Sequence, residues 1–167
     1  MAVRVRELEY GEGLHWKDLR LRALTESPDA FAVTYQADAH LPDDSWHQMI
    51  DATAADRLSA SLVAEIDGSS AGMAYCRVDE NDRSVGLLFA MWVDPPCRRQ
   101  GAGRALVEYA LAWMRNLGAL TVELTVTGTN DEAVHLYTSM GFIDTGDREP
   151  LRDGSTLQVI KMKREIG

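Results

Sequence analysis

Residues 93–106, VDPPCRRQGAGRAL, lie between an apolar run and an apolar helical pattern. Two prolines and two arginines are followed by Gly101 and Gly103. Because the first amides of a helix have no acceptor within the helix, they point outward and carry partial positive charge. Glycines at this position let an anion approach the backbone closely, and phosphate is the anion usually bound there. The stretch therefore predicts a phosphate site between a strand and a helix.

The common nucleotide-binding patterns do not fit this stretch. No lysine follows either glycine, as the Walker pattern requires. The dinucleotide pattern requires a third glycine at the position that Leu106 occupies. Taken alone, the two glycines are therefore equally compatible with an ordinary tight turn from strand to helix.

The hydrophobic periodicity on either side predicts a mixed order of strands and helices. Residues 84–93, SVGLLFAMWV, are almost continuously apolar, as expected for a central strand covered on both faces. A first strand, two helices and a β-hairpin precede it, and a helix, a strand, a helix and two closing strands follow. We find no linker or internal repeat, so the sequence predicts one α/β domain over residues 1–167.

Composition narrows the function classes. Hydrophobic residues make up 46% of the chain, enough for a packed core. A formal net charge of −9 disfavours nucleic-acid binding, and no apolar run is long enough to span a membrane. The two cysteines and four histidines show no metal-binding spacing. The expectation is a cytoplasmic protein without a metal, a membrane segment or a nucleic-acid partner.

Two sequence blocks together point to a family. The pattern V-x-P-x-x-R-x-x-G-x-G-x-x-L over residues 93–106 resembles the acetyl-CoA signature of the GNAT N-acetyltransferase superfamily. The pattern N-x-x-A-x-x-L-Y-x-x-x-G-F over residues 130–142 is similar to that family's other common motif. The resemblance implies a mixed, mostly antiparallel sheet of six or seven strands flanked by four helices. It also implies acetyl transfer from acetyl-CoA to a primary amine by direct attack in a ternary complex.

The resemblance also implies where the coenzyme binds. The strand before the glycine turn would carry a bulge and part from the next parallel strand, and the pantetheine arm would lie in that gap. An amide near Met91 or Trp92 would face the thioester oxygen. The pyrophosphate would rest on the amides of residues 98–104, with Arg99 and Arg104 as the better candidates for salt contacts. The implied coenzyme-binding set is Met91, Trp92, Val93, Arg98, Arg99, Gln100, Gly101, Ala102, Gly103, Arg104 and Asn130.

Tyr137 is the candidate general acid, since the departing thiolate needs a proton and the family tyrosine at this position commonly supplies it.

The run before the glycine turn lacks the glutamate that many relatives use as the base. Glu123 on the following strand is the expected base, and water is the main alternative. Other candidates are Glu65, Asp79, Glu80 and His135. Thr129 and Glu132 have the spacing of a capping box, which suggests a structural role for both.

The acceptor and the assembly state remain open at this stage. The acceptor is a small-molecule or peptide amine, recognised mainly by the first two helices and their connection. Residues there that could attract or enclose an amine are Glu26, Asp29, Asp38, Asp43, Asp44, Phe31, Tyr35 and Trp46. The rival hypotheses are a non-catalytic acyl-CoA sensor, an unrelated nucleotide-phosphate binder, and an interaction protein. Homodimers are common in the family, but the sequence does not show an interface.

Overall fold

A computed structural model describes residues 2–167, which build seven strands and five α-helices around a single sheet. The strands are β1 (Val3–Glu7), β2 (Ser59–Ile66), β3 (Ser69–Val78), β4 (Val85–Val93), β5 (Thr121–Thr127), β6 (Ile143–Pro150) and β7 (Gln158–Glu165). The helices are α1 (Gly13–Glu26), α2 (Tyr35–Ala39), α3 (Asp43–Ala55), α4 (Ala102–Asn116) and α5 (Asp131–Ser139). Two short 3-10 turns cover Pro28–Ala30 and Pro95–Cys97.

The strand order is β1-β2-β3-β4-β5-β7-β6, and among residues 2–167 only β4 and β5 pair in parallel. The expected α/β fold with a mixed, mostly antiparallel sheet is confirmed. Four of the helices are the ones that periodicity predicts. The fifth, α2, has five residues, too few to show a helical period, and the Thr34 hydroxyl caps it by accepting from the Ala37 amide.

Helices pack on both faces of the sheet. Helix α4 contributes fully buried Leu106, Val107 and Met114 to one hydrophobic cluster, which Tyr137 of α5 joins. On the other face, Leu19 of α1 and Trp46 of α3 lie in a second cluster. Strand β4 lies between these two layers in the middle of the sheet, as its almost continuous apolar sequence predicts, but its coverage on both faces is incomplete because Phe89 is 42% exposed. No helix of residues 2–167 is long and apolar enough to cross a bilayer.

Strands β4 and β5 open into a wedge. Within residues 85–127 they pair only from Val85 with Thr121 to Leu88 with Leu124, while each strand continues beyond that point. The register of β4 against β3 shifts after Phe89, and Ala90 adopts a positive φ of 55°. A left-handed conformation at a non-glycine residue marks a bulge, which turns the end of β4 away from β5. The parted strands leave backbone groups facing the gap.

Candidate active site

A cavity of about 640 Å³ lies at the wide end of this wedge, between the start of α4 and helix α5. The strand ends supply Met91 and Thr127, and the end of α1 supplies Glu26. Most of the predicted coenzyme and catalytic residues line it: Met91, Trp92, Val93, Arg98, Arg99, Gly101, Ala102, Gly103, Arg104, Asn130 and Tyr137. Two predicted residues, Gln100 and Glu123, do not line this cavity.

The start of α4 presents a row of unbonded amides to the cavity. In the part of the chain that the structure describes, the N–H groups of residues 99–104 have no protein acceptor, and the first bonded amide is that of Ala105, 3.0 Å from the Gly101 carbonyl. Arg99 and Gly101 have φ values of 62° and 90°. Left-handed residues in such a turn point successive amides to the same side and make an anion-binding concavity. This row is the physical basis for a phosphate site.

Gly103 keeps the cavity open in front of the amide row. A Cβ atom at this position would lie 3.2 Å from Leu136 Cδ2 and 3.4 Å from Met91 Cε. Any side chain at position 103 would therefore occupy the space between α4, α5 and the end of β4.

The three arginines of the turn have different partners. Arg98 donates to the Val93 carbonyl at 2.9 Å and pairs with the Glu26 carboxylate, so its guanidinium ties the turn to α1. Arg99 is 88% exposed, with Glu132 at 3.8 Å. Arg104 is also exposed and donates to the Ser139 hydroxyl at 3.1 Å. Arg99 and Arg104 are thus free to turn toward an anion, whereas Arg98 is engaged within the protein.

Glu26 joins the turn, α1 and β4. Its carboxylate accepts hydrogen bonds from Ser27, from Arg98 and, at 3.3 Å, from the Trp92 indole. Burial raises the pKa of Glu26, but these three hydrogen bonds outweigh it and leave the pKa below its ordinary value. The carboxylate stays ionised at neutral pH and neutralises Arg98.

Replacing Arg98 with alanine should affect stability more than coenzyme binding. The loss of one hydrogen bond and one half-exposed ion pair should lower the free energy of unfolding by about 1 kcal/mol. Urea titration measures this change, which should shrink in a Glu26→Ala background because the partner is already absent. Calorimetry with coenzyme A should show a larger loss of affinity for Arg104→Ala than for Arg98→Ala. The reverse order would place Arg98 on the phosphates.

Tyr137 is buried in the wall of the cavity. Its side chain is 4% exposed, lines the cavity and packs edge-on against Phe142 with ring centroids 5.8 Å apart. Within residues 2–167 the Tyr137 hydroxyl has no hydrogen-bond partner. Its oxygen is not completely enclosed, so it keeps some access to solvent. Burial raises the pKa of the phenol above its ordinary value. The phenol of this cavity residue is therefore neutral at physiological pH.

Asn130 caps helix α5 from inside the site. Its side-chain oxygen accepts from the Ala133 amide at 3.2 Å. The expected capping box at Thr129 and Glu132 is therefore wrong, since the helix begins one residue later and Glu132 lies near Arg99 instead. Accepting with its oxygen orients Asn130 so that its NH₂ group remains available as a donor.

Glu123 lies in a different groove. Alternation along β5 places it on the sheet face opposite buried Leu124, in a groove of about 500 Å³ with Phe89 and Thr125. Its carboxylate is 3.4 Å from the Lys161 ammonium, and its side chain is 26% exposed. The groove borders the wedge from the face that α4 does not cover. Glu123 pairs with Leu87, in the part of the sheet where β4 and β5 are still joined, and its side chain lies on the face opposite the cluster that Tyr137 joins.

The other candidate bases lie farther from the wedge. Glu65 is on β2 beside Arg6 at 3.6 Å, and His135 is exposed on α5. Asp79 and Glu80 follow β3, at the end of β4 remote from Met91. Gln100 donates to the Pro96 carbonyl at 3.0 Å and contributes to the shape of the turn.

The residues predicted to recognise the acceptor amine also fall into two groups, one at the cavity and one away from it. Glu26 and Asp29 line the cavity at the wedge, whereas Asp38 pairs with Arg20 and Asp43 with Lys17. Several cavity residues are not among those predicted from the sequence: Ser27, Pro28, Ala30, Thr127, Ala133 and Leu136. Only Ala133 and Leu136 had a signal, since they are positions of the second motif.

The chain matches the profile of the acetyltransferase (GNAT) family over residues 20–142. It is 30% identical over 146 residues to mycothiol acetyltransferase of Thermobispora bispora, covering 84% of this chain and 46% of that protein. The chain spans less than half the length of the mycothiol acetyltransferases that it matches.

Solved structures share the fold. A GNAT-family acetyltransferase from Streptococcus pneumoniae superposes with a TM-score of 0.84 at 24% identity, covering 99% of this chain and 100% of that one. A Salmonella typhimurium structure that contains acetyl-CoA as its cofactor superposes with a TM-score of 0.80 at 18% identity, covering 100% and 95%. The chain belongs to the GNAT family of acetyltransferases.

Proposed function

We propose that this chain binds acetyl-CoA in the cavity at the wedge and transfers the acetyl group to a primary amine. The observation that carries the proposal is the row of unbonded amides at residues 99–104, which opens into the gap between β4 and β5. The diphosphate binds these amides, and Arg99 and Arg104 supply positive charge from the rim. The pantetheine arm follows the backbone of Met91 and Val93 on the side of β4 that β5 does not pair, and Asn130 donates to it from the other side.

The reaction is a direct nucleophilic substitution at the thioester carbon. The amine nitrogen forms a bond to the acetyl carbonyl carbon, negative charge develops on the oxygen, and the carbon–sulfur bond then breaks. An amide of the β4 bulge, at Met91 or Trp92, stabilises that oxygen by donating to it. The products are an N-acetyl amide and coenzyme A.

Two proton transfers complete the reaction. The attacking nitrogen loses a proton to Glu123, directly or through water, and the departing thiolate takes a proton from the Tyr137 hydroxyl. Glu123 and Tyr137 lie toward opposite faces of the sheet, which supports separate roles because the base acts on the attacking nitrogen and the acid on the departing sulfur. Glu123 then releases its proton to bulk water, and bulk water reprotonates the tyrosine.

A covalent acyl-cysteine intermediate has no support in this site. Cys76 is buried, and burial raises the pKa of its thiol to about 12. Cys97 lies in the 3-10 turn after β4 and does not line the cavity. A thiol nucleophile needs a lowered pKa and access to the substrate. Direct transfer in a ternary complex is therefore the mechanism that we propose.

Replacing Glu123 with glutamine should lower kcat/KM for an amine at least about tenfold at neutral pH. The effect is smaller than for a fully buried base, because water reaches the groove and takes over part of the proton transfer. Glu65→Gln is the matched control and should leave kcat/KM unchanged. An unaltered kcat/KM for Glu123→Gln would assign the proton to water.

An amine panel read by release of the coenzyme thiol tests the proposed activity. The panel should contain peptide N-termini, lysine, polyamines, amino acids and aminoglycosides. We expect acetyl-CoA to bind, ATP to compete poorly, and at least one amine class to release thiol. Calorimetric coenzyme binding with no release for any amine would favour the sensor hypothesis. Effective competition by ATP would favour a general nucleotide-phosphate binder.

We also propose that the protein works in the cytoplasm. Both cysteines are free, which suits a reducing compartment. Fractionation of cells that express a tagged chain measures this directly.

A further inference from the structure

A short segment crosses the wide end of the wedge. We name residues 26–32 the bridging segment. At one end, the Glu26 carboxylate accepts from the Trp92 indole of β4 at 3.3 Å. Three residues later, the Asp29 carbonyl accepts from the Thr127 hydroxyl of β5 at 2.5 Å. The bridging segment thus connects two strands that no longer pair with each other at this level.

The bridging segment has little internal support. Its regular structure is one 3-10 turn, Pro28–Ala30, with the Ala30 amide 3.0 Å from the Ser27 carbonyl. Even so, Pro28, Asp29 and Ala30 form part of the cavity wall. A wall of irregular backbone needs partners for its carbonyl groups if it is to keep one position.

Arg152, in the connection between β6 and β7, supplies those partners. Its guanidinium donates to the carbonyls of Pro28 at 2.9 Å, Phe31 at 2.7 Å and Ala32 at 3.2 Å. Among residues 2–167 no carboxylate lies within ion-pairing distance of Arg152. The Arg152 guanidinium therefore makes its hydrogen bonds to carbonyl groups of the bridging segment.

We infer that Arg152 is a positioning residue for the transfer reaction. It holds the bridging segment across the mouth of the wedge and so fixes the wall beside which the acceptor approaches the thioester. This inference rests on the proposed function. The amide row at residues 99–104 spans the turn before α4 and the first residues of α4, and Arg152 hydrogen-bonds the bridging segment instead. Loss of Arg152 therefore acts on the transfer step more than on coenzyme affinity.

The experiment compares Arg152→Ala, Arg152→Lys and the control Arg115→Ala. Arg115 also donates to a main-chain carbonyl, that of Ile166 at 2.9 Å, but does not line the cavity. In Arg152→Ala, kcat/KM for the amine should fall on the order of tenfold while the coenzyme Kd stays within about threefold. Arg152→Lys should recover part of the loss, because an ammonium donates to carbonyls but lacks the planar fork. Arg115→Ala should keep the wild-type kinetics.

Hydrogen exchange provides a readout that does not depend on turnover. Amides of residues 27–34 should exchange faster in Arg152→Ala than in the wild type, and those of α4 should not. Equal exchange in the two proteins, an unchanged kcat/KM, or the same kinetic loss in Arg115→Ala would each overturn the inference. If the wild type releases no thiol with any amine, the proposed function fails, and the exchange rates still decide whether Arg152 holds the bridging segment.

Discussion

Gly103→Glu should weaken acetyl-CoA binding by on the order of 100-fold or more, because a carboxylate beside a diphosphate costs several kcal/mol. The new side chain would also fill the space now bordered by Leu136 Cδ2 at 3.2 Å and Met91 Cε at 3.4 Å. The fold should survive, because position 103 lies in the first turn of α4, where a carboxylate is favourable to the helix. Isothermal calorimetry measures the affinity, and urea titration should show a change in unfolding free energy below about 2 kcal/mol.

Gly103→Gln separates the two causes of this loss. Glutamine has nearly the same volume as glutamate but no charge, so it should retain the steric part of the effect alone. Binding should therefore be weaker than in the wild type and stronger than in Gly103→Glu. Wild-type affinity for Gly103→Glu would show that the phosphates lie elsewhere.

Tyr137→Phe should lower kcat on the order of 100-fold while leaving the coenzyme Kd nearly unchanged. The substitution removes only the hydroxyl and keeps the ring that packs on Phe142. Tyr109→Phe is the matched control, since Tyr109 also lies on a helix against the core but donates to the Glu7 carboxylate at 3.0 Å, away from the cavity. An unchanged kcat for Tyr137→Phe would remove Tyr137 from the proton transfer.

The pH dependence of the wild type follows from the same phenol. Burial raises the pKa of Tyr137 above its ordinary value, so the hydroxyl remains protonated and able to donate at higher pH than an exposed tyrosine. The kcat profile should therefore show no alkaline decrease from this group up to about pH 10. A decrease centred near pH 8 that disappears in Tyr137→Phe would show that the pKa is lowered instead.

Much of the fold and of the coenzyme site could be predicted from local sequence. The turn at residues 101–103 contains two glycines and stands at the start of a helix. Both features involve neighbouring residues, so a short stretch of sequence is enough to predict them. Tyr137 and Asn130 occupy fixed positions within one motif. The alternation along β5 predicts that Glu123 and Leu124 face opposite sides. Each of these predictions depends on the spacing of residues within one turn, motif or strand, and that spacing can be read directly from the sequence.

The remaining features depend on contacts between distant parts of the chain. Arg98 meets Glu26 across 72 residues, and Arg152 meets Phe31 across 121. The bulge at Ala90 lies in a uniformly apolar run, where no residue type marks the positive φ. The groove that holds Glu123 is formed in part by β6 and β7. In the sheet, β7 lies beside β5 and β6 lies at the edge, the reverse of their order along the chain. Periodicity carries no information about such placements.

The structure of a crystal soaked with acetyl-CoA tests the central claim most directly. We predict diphosphate oxygens about 3 Å from amide nitrogens among residues 99–104, with the thioester between β4 and β5 near Met91. A diphosphate bound away from these amides, or amides covered by the side chains of Arg99 and Arg104 while coenzyme binds elsewhere, would contradict the account.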